Sequence, residues 1–187
     1  SLPLVHAAAC LLLLVPAMAQ IFPPPPQPAG NPSTPAKELL GKALFWDEQL
    51  SSTRTVACGT CHVFSAGGAD PRAGALHPGA DGLFGTFDDV RGSFGVVRQD
   101  ASAHYTGAPG FGIARQVTGR KAPSPINAAY QQDLFWDGRA RSTFLDPLTG
   151  QTVLASGGAL ESQAAGPPTS DVEMSHLGRT WADIAAD

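Results

Sequence analysis

Five consecutive residues, Cys58-Gly59-Thr60-Cys61-His62, place two thiols and an imidazole within one helical turn of each other. At that spacing both thiols can add across the vinyl groups of a haem as thioethers, while the adjacent histidine coordinates the iron from the proximal side. Two other chemistries use the same residue types. A thioredoxin-like dithiol needs a βαβ context that the loop-rich surroundings lack, and four-ligand zinc needs a further ligand from a distant residue such as His77 or His104. The expectation is one covalently attached haem c, held by Cys58, Cys61 and His62.

The sixth iron position separates classes of function. An axial methionine or histidine closes the iron and makes an electron carrier, whereas an open distal face permits peroxide or oxygen chemistry. Beyond the apolar start of the chain the only methionine is Met174, far from His62 in sequence. His77, His104 and His176 are the other candidate ligands, though for each the residue type alone favours a solvated loop histidine.

These residues need elements to hold them. Thr34 followed by Pro35, with Leu39, Leu40, Ala43 and Leu44 at helical spacing, predicts a helix from Pro35 to about Asp47. A second helix should open at Cys58 and run towards Phe64. Gly67 to Gly112 shows no sustained period and reads as a long excursion, as does a Gly-rich stretch from Ser142 to Ala159. Pro125 to Tyr130 and Leu134-Phe135-Trp136 read as short buried pieces, and Thr180 as the cap of a last helix. Gly (21) and Pro (17) are abundant in the 187 residues, which implies few helices joined by long irregular connections.

Composition sets the outer limits. A net charge of −4 with 15% charged residues leaves no basic surface, which argues against nucleic acid as a partner. Ala7 to Val15 is apolar but too short to span a bilayer. Followed by Ala17-Met18-Ala19, it predicts a secretory signal over residues 1–19 and an exported, periplasmic protein. Cys10 precedes most of that run, which disfavours a lipoprotein anchor. Residues 20–35 are Pro-rich and read as an extended linker. Residues 36–187 then form one haem domain with no membrane span. The starting Ser1 and the final Ala185-Ala186-Asp187 read as incomplete ends.

Four segments carry a family resemblance. They are Leu40-Gly41-Lys42-Ala43-Leu44-Phe45-Trp46-Asp47 with Leu50-Ser51 and the Cys58 to His62 motif; Ala122-Pro123-Ser124-Pro125-Ile126-Asn127-Ala128-Ala129-Tyr130; Leu134-Phe135-Trp136-Asp137-Gly138-Arg139-Ala140; and Leu160 to Pro168 followed by Val172-Glu173-Met174. In this order they resemble the bacterial di-haem cytochrome c peroxidase and MauG group, specifically its N-terminal, peroxidatic haem domain. The resemblance implies a mainly α, cytochrome c-like helical domain with long irregular loops. It makes His62 the proximal ligand, puts Gln163, Pro167 and Glu173 on the distal side, and sets Trp136 between this haem and a second haem c in a C-terminal domain. It also implies hydrogen peroxide as substrate, a small electron donor of cytochrome c or cupredoxin type, and a homodimer.

Chemistry fits those roles. Peroxide must lose a proton from one oxygen and regain it on the other as the O–O bond breaks, which a carboxylate such as Glu173 can arrange. Read without the resemblance, Glu173 is equally a solvated acid and Trp136 a core residue. His77 is the candidate distal ligand by position, with His104 behind it. Lys121 stands where the family's calcium-binding asparagine is expected, which argues against calcium. Three alternatives remain at this point: a mono-haem electron carrier with His62 and Met174 as ligands, a MauG-like haem oxidase or oxygenase, and a purely structural or binding domain.

Overall fold

The computed structural model describes residues 23–74 and 76–186, so the expected signal over residues 1–19 lies outside the described residues. Helix α1 spans Pro35–Phe45, close to the expected range. The Thr34 hydroxyl accepts a hydrogen bond from Lys37 N at 3.3 Å, and Pro35 sits at the first helical position, where its missing N–H costs nothing. Helix α2 is the single turn Cys58–Cys61, α3 spans Ala159–Ala164 and α4 spans Trp181–Ala186. Thr180 caps α4 as expected: its Oγ1 accepts from Asp183 N at 3.3 Å while Asp183 Oδ2 accepts from Thr180 N at 2.7 Å.

The described residues are not mainly α, which corrects the expectation of a cytochrome c-like helical domain. The helices are short, and three antiparallel pairs of strands lie between them: β1 (Leu76–His77) with β2 (Val90–Arg91), β3 (Phe94–Val97) with β4 (Arg115–Val117), and β5 (Phe144–Leu145) with β6 (Thr152–Leu154). The stretches 67–112 and 142–159, expected to be irregular, carry most of these strands. Each strand is two to four residues long, too short for an alternating pattern to rise above its flanks. Pairing instead comes from backbone hydrogen bonds between segments far apart in sequence. A second correction concerns the pieces expected to be buried, because Ile126 is 53% exposed and Trp136 is 88% exposed.

The core is small. Val56, Val96 and Met174 form its centre, with Leu50 packed against them. Buried Ser51 ties the turn before α2: its Oγ accepts from Thr55 N and Val56 N, both at 3.1 Å, and donates to Glu48 O at 2.9 Å. Helix α1 contributes no buried residue, and Leu39 and Leu40 stand open at 71% and 58%. The Pro-rich segment, expected as a linker, is tied at two points: Tyr130 Oη donates to Pro23 O at 2.6 Å and Asn31 Nδ2 to Glu161 Oε1 at 2.8 Å. Among the described residues no helix is long and apolar enough to cross a membrane.

Candidate functional site

The turn α2 carries Cys58 and Cys61 as free, half-buried thiols, and His62 follows as its C-terminal cap with its N–H donating to Cys58 O at 2.9 Å. His62 Nδ1 lies 3.2 Å from Gly68 O. A proton on Nδ1 would satisfy that carbonyl and leave Nε2 free to accept a metal, the way a backbone carbonyl usually orients a metal-binding imidazole. The carbonyl is itself held in place. Gly68 has φ +76°, a Cβ there would strike Pro125, and Ser124 Oγ donates to Gly67 O at 2.6 Å. The Ala122 to Tyr130 segment therefore braces the proximal loop.

Two further supports act on the motif. Trp46, just past α1, lies directly on Gly59, where any Cβ would run into the indole ring. Its ring meets Phe45 edge-on at 5.1 Å, both pack at a tilt against Phe64, and Phe45 stands 6.5 Å from the His62 ring. On the other side Asp70 is fully buried and accepts from Arg72 N at 2.8 Å and Arg72 Nε at 3.0 Å. Arg72 Nη2 in turn donates to Thr60 O at 2.8 Å and stands 3.7 Å from Cys61 Sγ. Burial pushes the Asp70 carboxyl up, but the hydrogen bonds and charge of Arg72 outweigh it and hold the group below its ordinary value. A thiol pair on one turn, an imidazole with its Nδ1 occupied and an open apolar face on α1 together fit haem c.

Gln163, Pro167 and Glu173 line one cleft of about 280 Å³, together with Phe135, Arg139, Ala140, Ser162, Gly166 and Ser170. Gln163 comes from α3 and Pro167 from the short 3-10 turn that follows it. Glu173 is placed by a turn in which Glu173 N and Met174 N both donate to Ser170 O, at 3.2 Å and 3.0 Å. Strand β3 holds that turn from behind: Val96 N donates to Val172 O at 3.0 Å, and a Cβ on Gly95 would collide with the same carbonyl. Gln116 adds a hydrogen bond from Nε2 to Asp171 O at 2.8 Å. Burial raises the Glu173 carboxyl above its ordinary value, and the charges of Arg139 and His62 only partly offset this. The same electrostatic reach ties the cleft to the haem-binding turn, since the Glu173 charge is felt at Cys61 as well.

The remaining candidates fall elsewhere. Met174, adjacent to Glu173, is 3% exposed and committed to the core. His77 is half-buried, with its ring edge-on to Phe111 at 4.9 Å and Phe94 at 6.1 Å, and its Nδ1 accepts from Gly79 N at 3.2 Å. It is not a wall of the cleft. His104 is an exposed partner of Asp100, and His176 lines a different cavity with Ser52, Arg54 and Arg179. Trp136 points to solvent under Arg120, whose guanidinium lies 5.1 Å from the ring centroid, and Lys121 is exposed. Sequence reasoning missed Asp70, Arg72, Gly95 and Arg139. For the first two a local signal existed, since Asp-Pro-x favours a turn in which the aspartate bonds the backbone two residues on.

Comparison with known proteins gives the family. A family model, Di-haem cytochrome c peroxidase, matches residues 35–187. Among similar proteins, cytochrome c peroxidase Ccp of Escherichia coli is 27% identical over 161 residues, covering 86% of this chain and 23% of the relative. Methylamine utilization protein MauG of Methylorubrum extorquens is 33% identical over 149 residues, 80% of this chain and 28% of the relative. Cytochrome c551 peroxidase of Pseudomonas aeruginosa is 28% identical over 145 residues, 78% of this chain and 27% of the relative. The chain thus spans about a quarter of the length of these relatives. With a family model covering almost everything from α1 to the last described residue, the chain belongs to the di-haem cytochrome c peroxidase family.

Proposed function

We propose that this chain is the peroxide-reducing haem domain of an exported cytochrome c peroxidase. The observation that carries the reading is the cleft in which Gln163, Pro167 and Glu173 meet, side chains drawn from α3 and the two turns after it. Cys58 and Cys61 would hold the haem c as thioethers, and His62 would ligate its iron through Nε2. What a bound haem supplies is the redox cleavage of the O–O bond of hydrogen peroxide.

The chain's own residues manage protons and access. Glu173 takes the proton from one peroxide oxygen and returns it to the other, and a carboxyl raised by burial suits this because its affinity for the proton approaches what operating near neutral pH requires. Gln163 orients peroxide by hydrogen bonding. Pro167 has no N–H and presents a ring to the cleft, which keeps this wall apolar. Two water molecules form from one peroxide, two protons and two electrons. A small donor protein of cytochrome c or cupredoxin type would supply the electrons, a second haem c would relay them, and exposed Trp136 would stand between the two haems.

The test is peroxide-driven oxidation of a reduced small cytochrome c or cupredoxin by the haem-loaded protein. Stoichiometric donor oxidation, two equivalents per peroxide, is expected; a protein with full haem that leaves the donor reduced contradicts the reading. The 33% identity to MauG favours one second reading, a haem oxidase acting on a protein or organic substrate. That reading requires peroxide to be consumed without the small donor.

A further inference from the structure

The loop from Leu134 to Ala140 brings to the cleft a charge that the proton transfer above does not use. Leu134 N donates to Ala140 O at 2.9 Å and Gly138 N to Phe135 O at 3.0 Å, which closes the loop tightly. Phe135 pays for this with a left-handed backbone, φ 67°, a conformation that a residue with a bulky side chain keeps only when its surroundings enforce it. The result is a division of labour between neighbours: Phe135 lines the cleft and Trp136 faces solvent. Arg139 folds back over Phe135 with its guanidinium carbon 4.2 Å from the ring centroid, which restrains an otherwise mobile cation at the mouth of the cleft.

The loop's carboxylates do not neutralise that cation. Asp137 is paired with Arg120 at 2.7 Å and Asp133 with Arg141 at 3.8 Å. Arg139 and Glu173 line the same cleft without joining in an ion pair among the described residues, and the cleft, about 280 Å³, has room for a small ligand against both. Donors fixed in advance near a developing negative charge are the strongest form of electrostatic help a site can give.

We propose that Arg139 is an anion-binding residue of this cleft, holding the negatively charged form of the ligand beside Glu173. This rests on the reading of the cleft as a peroxide site. When Glu173 takes a proton, HOOH and a carboxylate become HOO⁻ and a carboxylic acid, with no electron transferred. The hydroperoxide anion so formed is the species that Arg139 stabilises. Its charge acts in the same sense on Glu173 itself, favouring the ionised carboxylate against burial.

Fluoride is a suitable probe because its binding to a ferric haem is read by absorbance, independently of turnover. In the haem-loaded protein at neutral pH and low salt, Arg139→Gln should weaken fluoride binding by about fivefold, the size expected for one partly solvated charge. Arg139→Lys should retain most of the affinity, Arg139→Glu should lose more than Arg139→Gln, and added salt should narrow the differences. Equal affinities across fully haem-loaded variants, or Lys behaving as Gln, overturn the proposal. Should Arg139→Gln fail to take up haem, the unmodified protein and Arg139→Lys still decide, because fluoride binding that ignores ionic strength in both contradicts a role for this cation. Failure of the peroxide reading is seen separately, as absent donor oxidation with the fluoride charge order intact.

Discussion

Individual residues at this site act through partners on other elements. Asp70 is the clearest case: it is fully buried, and its two oxygens take three hydrogen bonds from Arg72, which in turn holds the Thr60 carbonyl of the haem-binding turn. Replacing it by Asn leaves Arg72 without its counter-charge and should destabilise the domain by about 2 kcal/mol, a buried-pair loss discounted for the part-exposed Arg72. Because the folded carboxyl is held below the ordinary value of 3.8, its stabilisation is present above that pH and is lost as pH falls through the lower folded value. Denaturant midpoints of the parent and Asp70→Asn should therefore differ by a constant amount above pH 3.8 and draw together only as pH falls below it. Glu173 has the opposite sign. Its raised carboxyl should give peroxide turnover an acid limb lying above the ordinary glutamate range, seen in a pH profile of the rate.

Elements place those residues, and here sequence was an uneven guide. The cap of α1 was legible because Thr34 and Pro35 act on their own next turn, and the same holds for Thr180 with Asp183. The Cys58 to His62 motif was legible because its chemistry is complete within five residues. The hairpins were not, since β3 and β4 meet through backbone hydrogen bonds across a gap of loop and carry only four and three residues. Nor does Leu-Phe-Trp reveal which ring turns inward; the left-handed Phe135 decides that, and the loop closure that enforces it is a tertiary fact. Gly95 shows what such hidden constraints do. A methyl group there meets the Val172 carbonyl, so Gly95→Ala should push the Glu173 turn off β3. We expect a loss of about 1–3 kcal/mol in stability and a fall in peroxide turnover with haem content unchanged. Turnover that stays at the parent level would mean that β3 does not set the position of Glu173.

For the whole molecule the main fact is how little is buried. The central cluster is Val56, Val96 and Met174, while α1 exposes Leu39, Leu40 and Leu44 and buries nothing. On the proposed reading, a flat apolar cofactor fixed at Cys58 and Cys61 would cover the apolar face that α1 exposes. Cys58→Ser with Cys61→Ser should accordingly leave a protein that binds a hydrophobic dye and loses helical circular dichroism, whereas a haem-free variant as compact as the parent would separate the fold from the cofactor. At this scale the family assignment and the geometry coincide, with the matched region, residues 35–187, beginning at α1. The central claim is that Glu173 moves the proton in a peroxide site beside His62. The direct measurement is steady-state peroxide turnover of the haem-loaded Glu173→Gln variant. A fall of about a hundredfold or more, with haem absorbance and attachment unchanged, is the predicted result; turnover equal to that of the parent protein would contradict it.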